Sequence, residues 1–262
     1  MNNKTTHVLK FSSLFDDTSF MSADEEGYVN ADLLKHLSEV HDSAVLSSPM
    51  FVDRKDHYAE GALAIDSDSF LFGLKRLTAT LHKKRNAAFA QFTYVGDASS
   101  YKSDLRDIVC VSTDTALLQS ARELSEHEIE QLPAKFAAAA ARAQKSNFDG
   151  VVLSVANNNL FVRFLSPVYN HRGEECDGRT LLYKTMSALR AAVGDHFPVL
   201  LKLDTTSICW FDRNDLQLLK TSGCDALLLY SEDDVSSQLA ASGNTTYSCG
   251  LENTKLILLS DG

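Results

Sequence analysis

The chain has 262 residues, a formal net charge of −10, 44% hydrophobic residues, and only 4 prolines and 12 glycines. A chain of this size buries roughly 70–75% of its unfolded surface and needs no disulfide or metal staple, so one globular domain over 1–262, of barrel or doubly wound size, is expected. The dispersed acidic excess argues against a phosphate-backbone partner, and no nucleic acid is expected.

The opening MNNKTTHVLKF is polar, with no signal-peptide run, and no segment reaches about 18 continuous apolar residues. A cytoplasmic protein without a membrane anchor is expected. LKFSSLF (9–15) is the first strand candidate, followed by NADLLKHLSEV, a helix capped by Asn30 with Leu33, Leu34 and Leu37 on its apolar stripe. AVLSSPMFV (44–52) reads as a strand. SDSFLFGLKRLTATLHKKR (67–85) reads as a helix with Phe70, Leu74, Leu77 and Leu81 on one face, its basic end HKKR in solvent. AAFAQF (87–92) is the next strand. Ser125 and Glu128 have capping-box spacing, and Pro133 is expected to split the segment they open into a short turn and a helix AKFAAAAARAQKS.

GVVLSV (150–155) then reads as a strand, followed by three asparagines. TLLYKTMSALRAAV is a helix closed by Gly194, PVLLKLD (198–204) a strand, and NDLQLLKTSG a helix closed by Gly223. DALLLYS (225–231) and KLILLSD (255–261) are the last strand candidates. Continuous apolarity and the alternation with helices predict a parallel sheet covered on both faces. The seven strand candidates are one fewer than a full eight-stranded barrel. The five cysteines (Cys110, Cys176, Cys209, Cys224, Cys249) and eight scattered histidines show no metal spacing, so no metal is expected.

NFDGVVLSVANNNLFVRFLSPVYNHRGEECDG (147–178), with its F-L-S-P and N-x-R turn, resembles the fourth-strand segment of the old yellow enzyme family of FMN-containing NAD(P)H oxidoreductases. RELSEHEIEQLPAKFAAAAARAQKSNFDG resembles the preceding helix, VGDHFPVLLKLD the fifth strand, and QFTYVG the third-strand motif. The resemblance implies an α/β fold, a TIM (β/α)8-type barrel that is truncated or incomplete, with about seven β/α units. It also implies FMN and NADH as cofactor and reductant.

Carried over by position, Gln91 matches a glutamine that hydrogen-bonds the flavin pyrimidine ring, and Ser47 a small residue beside the ring. Lys202 matches an arginine facing the N1/O2 edge. Ser154 and Asn157 fall at the pair that grips a substrate carbonyl or nicotinamide, and Asn159 at the tyrosine that protonates an activated alkene. Each has a plainer reading: Gln91 as a satisfied barrel-mouth amide, Lys202 paired with a carboxylate, and the asparagines as turn residues tolerant of left-handed backbone. Arg163 and Arg172 read as loop pins or interface contacts, and His171 as part of the N-H-R turn.

The departures from the pattern shift the expected chemistry. Without the tyrosine acid, an NADH-dependent FMN reductase or a subunit of one, passing electrons on to oxygen with hydrogen peroxide formation, fits better than an alkene reductase. The short length and altered loop resemble the smaller two-component NADH-dependent flavin reductases. A second subunit or a homo-oligomer is expected to cover an open barrel. The alternatives are a non-catalytic barrel relic acting as a binding or scaffold subunit, and a flavin-free barrel enzyme.

Overall fold

The computed structural model describes residues 14–16, 23–41, 44–102, 106–173, 176–204, 207, 211–230, 245–248 and 254–258. Six strands follow one another in parallel: β1 (Leu14–Asp16), β2 (Ala44–Leu46), β5 (Ala87–Thr93), β8 (Gly150–Val155), β9 (Val199–Asp204) and β10 (Ala226–Tyr230). Short β3 (Met50–Phe51) pairs with the end of β5 and, on its other side, with β4 (Leu63–Ala64), and β6 (Val109–Cys110) pairs with β7 (Arg122–Glu123) apart from the main sheet. The helices are α1 (Ala31–Ser38), α2 (Leu71–Lys83), α3 (Glu126–Lys145), α4 (Leu160–Leu165), α5 (Gly178–Val193) and α6 (Arg213–Thr221). This alternation of parallel strands and helices is a (β/α)-barrel-type fold. Among the described residues no helix is long and apolar enough to cross a membrane.

The helix ends follow local chemistry. Asn30 accepts the Leu33 amide at 3.0 Å, and the Ser125–Glu128 capping box is formed. Gly194 and Gly223 close their helices at φ 76° and 95°.

Three sequence expectations are corrected. α3 runs unbroken through Pro133, because its stripe of Leu132, Phe136, Ala139, Ala140 and Ala143 is buried along α5 and offsets the roughly 3 kcal/mol cost of an internal proline. The last strand, β12 (Thr254–Leu258), runs antiparallel to β10 and pairs on its other side with β11 (Thr245–Ser248), so the parallel succession ends at β10. Residues 9–13 and 259–261 of the first and last strand candidates lie outside the described residues.

The third correction concerns 44–52, expected as one strand. β2 pairs with β5 through Leu46↔Phe89, and pairing resumes at Met50↔Phe92. Residues 47, 48 and 49 therefore stand opposite residues 90 and 91, which makes a β-bulge. The bulge reverses the alternation. Leu46 belongs to the lumen cluster, whereas Met50 joins the core beneath the helices.

Strand alternation separates two apolar bodies. Val45, Ala88, Ala90, Val151, Leu153, Leu201 and Leu203 pack against the helices. Ala44, Leu46, Phe89, Val152, Leu200, Ala226 and Leu228 fill the lumen. Gly178 lets α5 approach α4, since a Cβ there would lie 2.3 Å from the Phe164 carbonyl oxygen. Gly178→Ala is expected to cost about 1–3 kcal/mol by overpacking against backbone. A thermal melt beside Gly194→Ala, where an added Cβ meets nothing within 4 Å, checks this; Gly194→Ala carries only the strain of its positive φ.

Candidate functional site

The lumen floor becomes polar toward the carboxyl ends of the strands. Two residues beyond Phe89, Val152 and Leu200 stand Gln91, Ser154 and Lys202, all buried. Ser154 and Lys202 are register partners across β8 and β9. Gln91 and Ser47 are joined across the bulge: the Ser47 hydroxyl accepts the Gln91 amide N–H at 3.1 Å, and Gln91 Nε2 donates to the Ser47 carbonyl at 3.1 Å. A hydroxyl thus replaces the ladder acceptor that the bulge displaces.

Asn159 links the same layer to α4. Its Nδ2 donates to the Ser154 carbonyl at 2.7 Å and to Thr93 Oγ1 at 3.3 Å, while its Oδ1 caps the Val162 N–H at 3.2 Å. Both ends of this amide serve the fold. Asn157 sits exposed on the rim, and it and Asn158 both have φ 57°, so the turn reading of these asparagines holds for their backbone. The Asn157 N–H donates to Asp204 Oδ2 at 2.9 Å, and Ser207 Oγ bonds the Val155 carbonyl at 2.7 Å, tying the ends of β8 and β9 together. The six sequence-chosen residues therefore share one rim spanning β2, β5, β8 and β9.

Sequence reasoning missed three parts of this rim. LFVRFL is apolar apart from Arg163 and has no helical stripe, so α4 carries no periodic signal. Ser48 is 1% exposed, and its Oγ has no hydrogen-bond partner among the described residues. The turn Tyr94–Ala98 after β5 is gripped by charges from several distant segments. Asp56 accepts the Val95 and Gly96 N–H groups at 2.6 and 2.8 Å, and Arg106 donates to the Gly96 carbonyl at 2.6 Å. Asp97 pairs with Arg163 at 3.3 Å, both side chains fully buried.

Arg163 also donates to the Thr115 carbonyl at 2.7 Å and lies 4.3 Å from the Tyr169 ring centroid. Arg172 donates to the Val111 carbonyl at 3.1 Å, so both arginines are loop pins. His171 pairs with Asp114, on the distant turn Thr113–Thr115, at 2.6 Å. Tyr94, next along from Thr93, packs in the helix-side core, and burial pushes its phenol well above the usual range. It does not replace the missing tyrosine acid.

A buried hydroxyl without a partner, an amide and a cation above an apolar floor fit a flat ring with a polar edge, such as flavin. Parallel strands alternating with helices define a (β/α)-barrel protein, and this polar layer lies at the end of the strands where ligands bind in that fold. The chain belongs to the NADH:flavin oxidoreductase / NADH oxidase family, whose model matches residues 17–214.

The metal reductase of Desulforamulus reducens is 30% identical over 152 residues, 55% of this chain and 23% of the relative. The NADH:acrylate oxidoreductase of Vibrio harveyi is 30% identical over 139 residues, 52% of this chain and 14% of the relative. The matched region thus spans under a quarter of these relatives' lengths. The old yellow enzyme homologue of Zymomonas mobilis has a similar fold, with a TM-score of 0.71 at 18% identity, covering 81% of this chain and 67% of that one. Old yellow enzyme from Pichia sp. AKU4542 gives 0.65 at 19%, covering 74% and 55%.

Breaking the buried Asp97–Arg163 pair from one side is expected to cost about 3–5 kcal/mol. Denaturant unfolding of Arg163→Met, compared with an Asp97→Asn/Arg163→Met double variant, checks this. The double variant should regain part of the loss, because no buried charge is left alone.

Proposed function

We propose that this chain is an NADH-dependent FMN reductase, or a subunit of one, that moves two electrons from NADH to FMN and on to oxygen as hydrogen peroxide. The observation that carries the reading is the polar layer of Gln91, Ser154 and Lys202 over an apolar lumen floor, with Asn159 committed to the fold. FMN, when bound, supplies the electron transfer. Gln91, held by Ser47, would orient the ring's polar edge with Ser48 beside it, and the apolar floor would exclude water beneath it. Lys202 would place positive charge at that edge, and Ser154 and Asn157 would meet the nicotinamide. Asn159 offers no acidic proton, and its amide hydrogens are already engaged, which disfavours alkene reduction.

A second subunit or a second copy is proposed to cover the sheet. This is supported by β1 and β11, each paired on one side only among the described residues, since uncovered strand edges invite pairing.

Micromolar FMN affinity, about 8 kcal/mol of binding free energy, is expected from quenching of flavin fluorescence. NADH oxidation should run faster with free FMN than with an activated enone. Faster turnover with the enone would overturn the assignment, and no binding at saturating FMN would favour the scaffold reading.

Lys202→Met keeps length and removes charge, so flavin reduction should fall by tenfold or more with little change in melting temperature. A charge pair ~4 Å apart at an effective dielectric near 20 is worth about 4 kcal/mol before desolvation, and about 1.4 kcal/mol already makes tenfold. An unstable variant with unchanged specific activity would take Lys202 out of the site.

A further inference from the structure

The Asp56 carboxylate lies on a loop after the bulge, 1% exposed, and reaches across to the turn after β5. One oxygen takes the Val95 N–H and the other the Gly96 N–H. Gly96, at φ 61°, has no room for a side chain, since a Cβ would lie 2.8 Å from the Val109 carbonyl oxygen. On the other side of the same turn, Arg106 holds the carbonyls of Gly96, Ser99 and Tyr101. The Tyr94 carbonyl in turn accepts the Leu160 N–H at 2.9 Å, which joins the turn to the start of α4 and to Asn159. Asp56 therefore grips the peptide that fixes both β5, with Gln91 and Thr93, and the α4 side of the mouth.

We infer that Asp56 is a positioning residue: a pH-sensitive latch that holds the mouth ends of β5 and α4 in place through the Val95–Gly96 turn. The charged and titratable groups around it are Arg106, from beyond the turn, and Asp53, on its own loop; Tyr58 and Tyr94 also sense its charge. His57, next in the chain, is buried between the Phe51 and Tyr101 rings. Burial outweighs the two N–H bonds and Arg106, and raises the Asp56 acid from 3.8 to about 7.

The direction of the pH effect comes from linkage. A carboxyl whose folded value is raised favours the closed state most below its ordinary value, and loses that advantage as pH rises toward the folded value. With values of 3.8 open and about 7 closed, the opening equilibrium of the latch should rise about 50-fold from pH 5 to pH 7 and level off above pH 8. The inference that this loosening reaches a ligand rests on the flavin reading of the mouth.

The test is amide hydrogen exchange of the full chain from pH 5 to 8, each rate divided by its intrinsic value. Protection of residues 94–98 should fall across this range while that of residues 136–143 in α3 stays level. Asp56→Asn, which accepts one N–H and sets an amide donor against the other, should lower protection at every pH and abolish the pH step. Carboxyl 13C NMR on the wild-type protein should show one aspartate titrating near neutrality, which decides the point even where the variant does not fold.

Level protection in the wild-type protein, a step that survives in Asp56→Asn, or no neutral-titrating aspartate would each overturn the latch. FMN titration over the same range should show affinity weakening as pH rises. An exchange step together with pH-independent FMN affinity would overturn the link to the mouth. An exchange step with no FMN binding at any pH would leave the latch standing and remove the flavin reading.

Discussion

The turn from Tyr94 to Ala98 is where the demands of burial converge. It leaves β5 at the barrel mouth and must lie under later segments of the chain, so its peptide groups and the Asp97 charge lose water. Buried polar groups are costly unless paired. Here the partners are Asp56 and, for Asp97, Arg163, both from far along the chain, with Arg106 ten residues beyond Gly96. Each is tethered in turn. Arg163 belongs to α4, whose first turn is capped by Asn159, and Asn159 holds the carbonyl of Ser154, whose side chain lies in the polar layer. The geometry of the mouth thus rests on satisfying one desolvated turn, and a disturbance there reaches Gln91, Ser154 and Asn159 together.

The lumen shows the complementary arrangement. Alternation sends every second residue inward, and these positions change from apolar to polar within one step along β5, β8 and β9. The apolar layer closes the interior, and the polar layer lies at the carboxyl ends of the strands, where Gln91 is hydrogen-bonded to Ser47. The change from apolar to polar therefore falls at the carboxyl ends of the strands.

Much of this was legible in the chain because it is written in local or periodic terms. The caps at Asn30, Ser125 and Gly194 depend on neighbours within a turn of helix, and the strands at 87–92, 150–155 and 198–204 are continuous apolar runs. Gln91, Ser154 and Lys202, which lie inside such runs, were picked out by position through the family resemblance. What was not legible is non-local. Nothing near Asp56 announces Val95, and nothing near Arg163 announces Asp97. Pro133 misleads because local propensity is overridden by the stripe buried against α5. Asn159 falls at a position whose family counterpart does chemistry, yet its amide is taken up by capping, which only the folded path of α4 reveals.

The bulge at Ser47–Pro49 has a bearing on how this segment can change over time. It works as a phase slip in a two-beat pattern, so residues before and after it are counted from different origins. Removing one residue there would restore an unbroken beat with Met50 still opposite Phe92, but would take away the slack that brings the Ser47 hydroxyl and carbonyl onto Gln91. Adding one would lengthen the slack between the Leu46↔Phe89 and Met50↔Phe92 pairs. The length of this segment, as much as any side chain in it, sets where Ser47 meets Gln91.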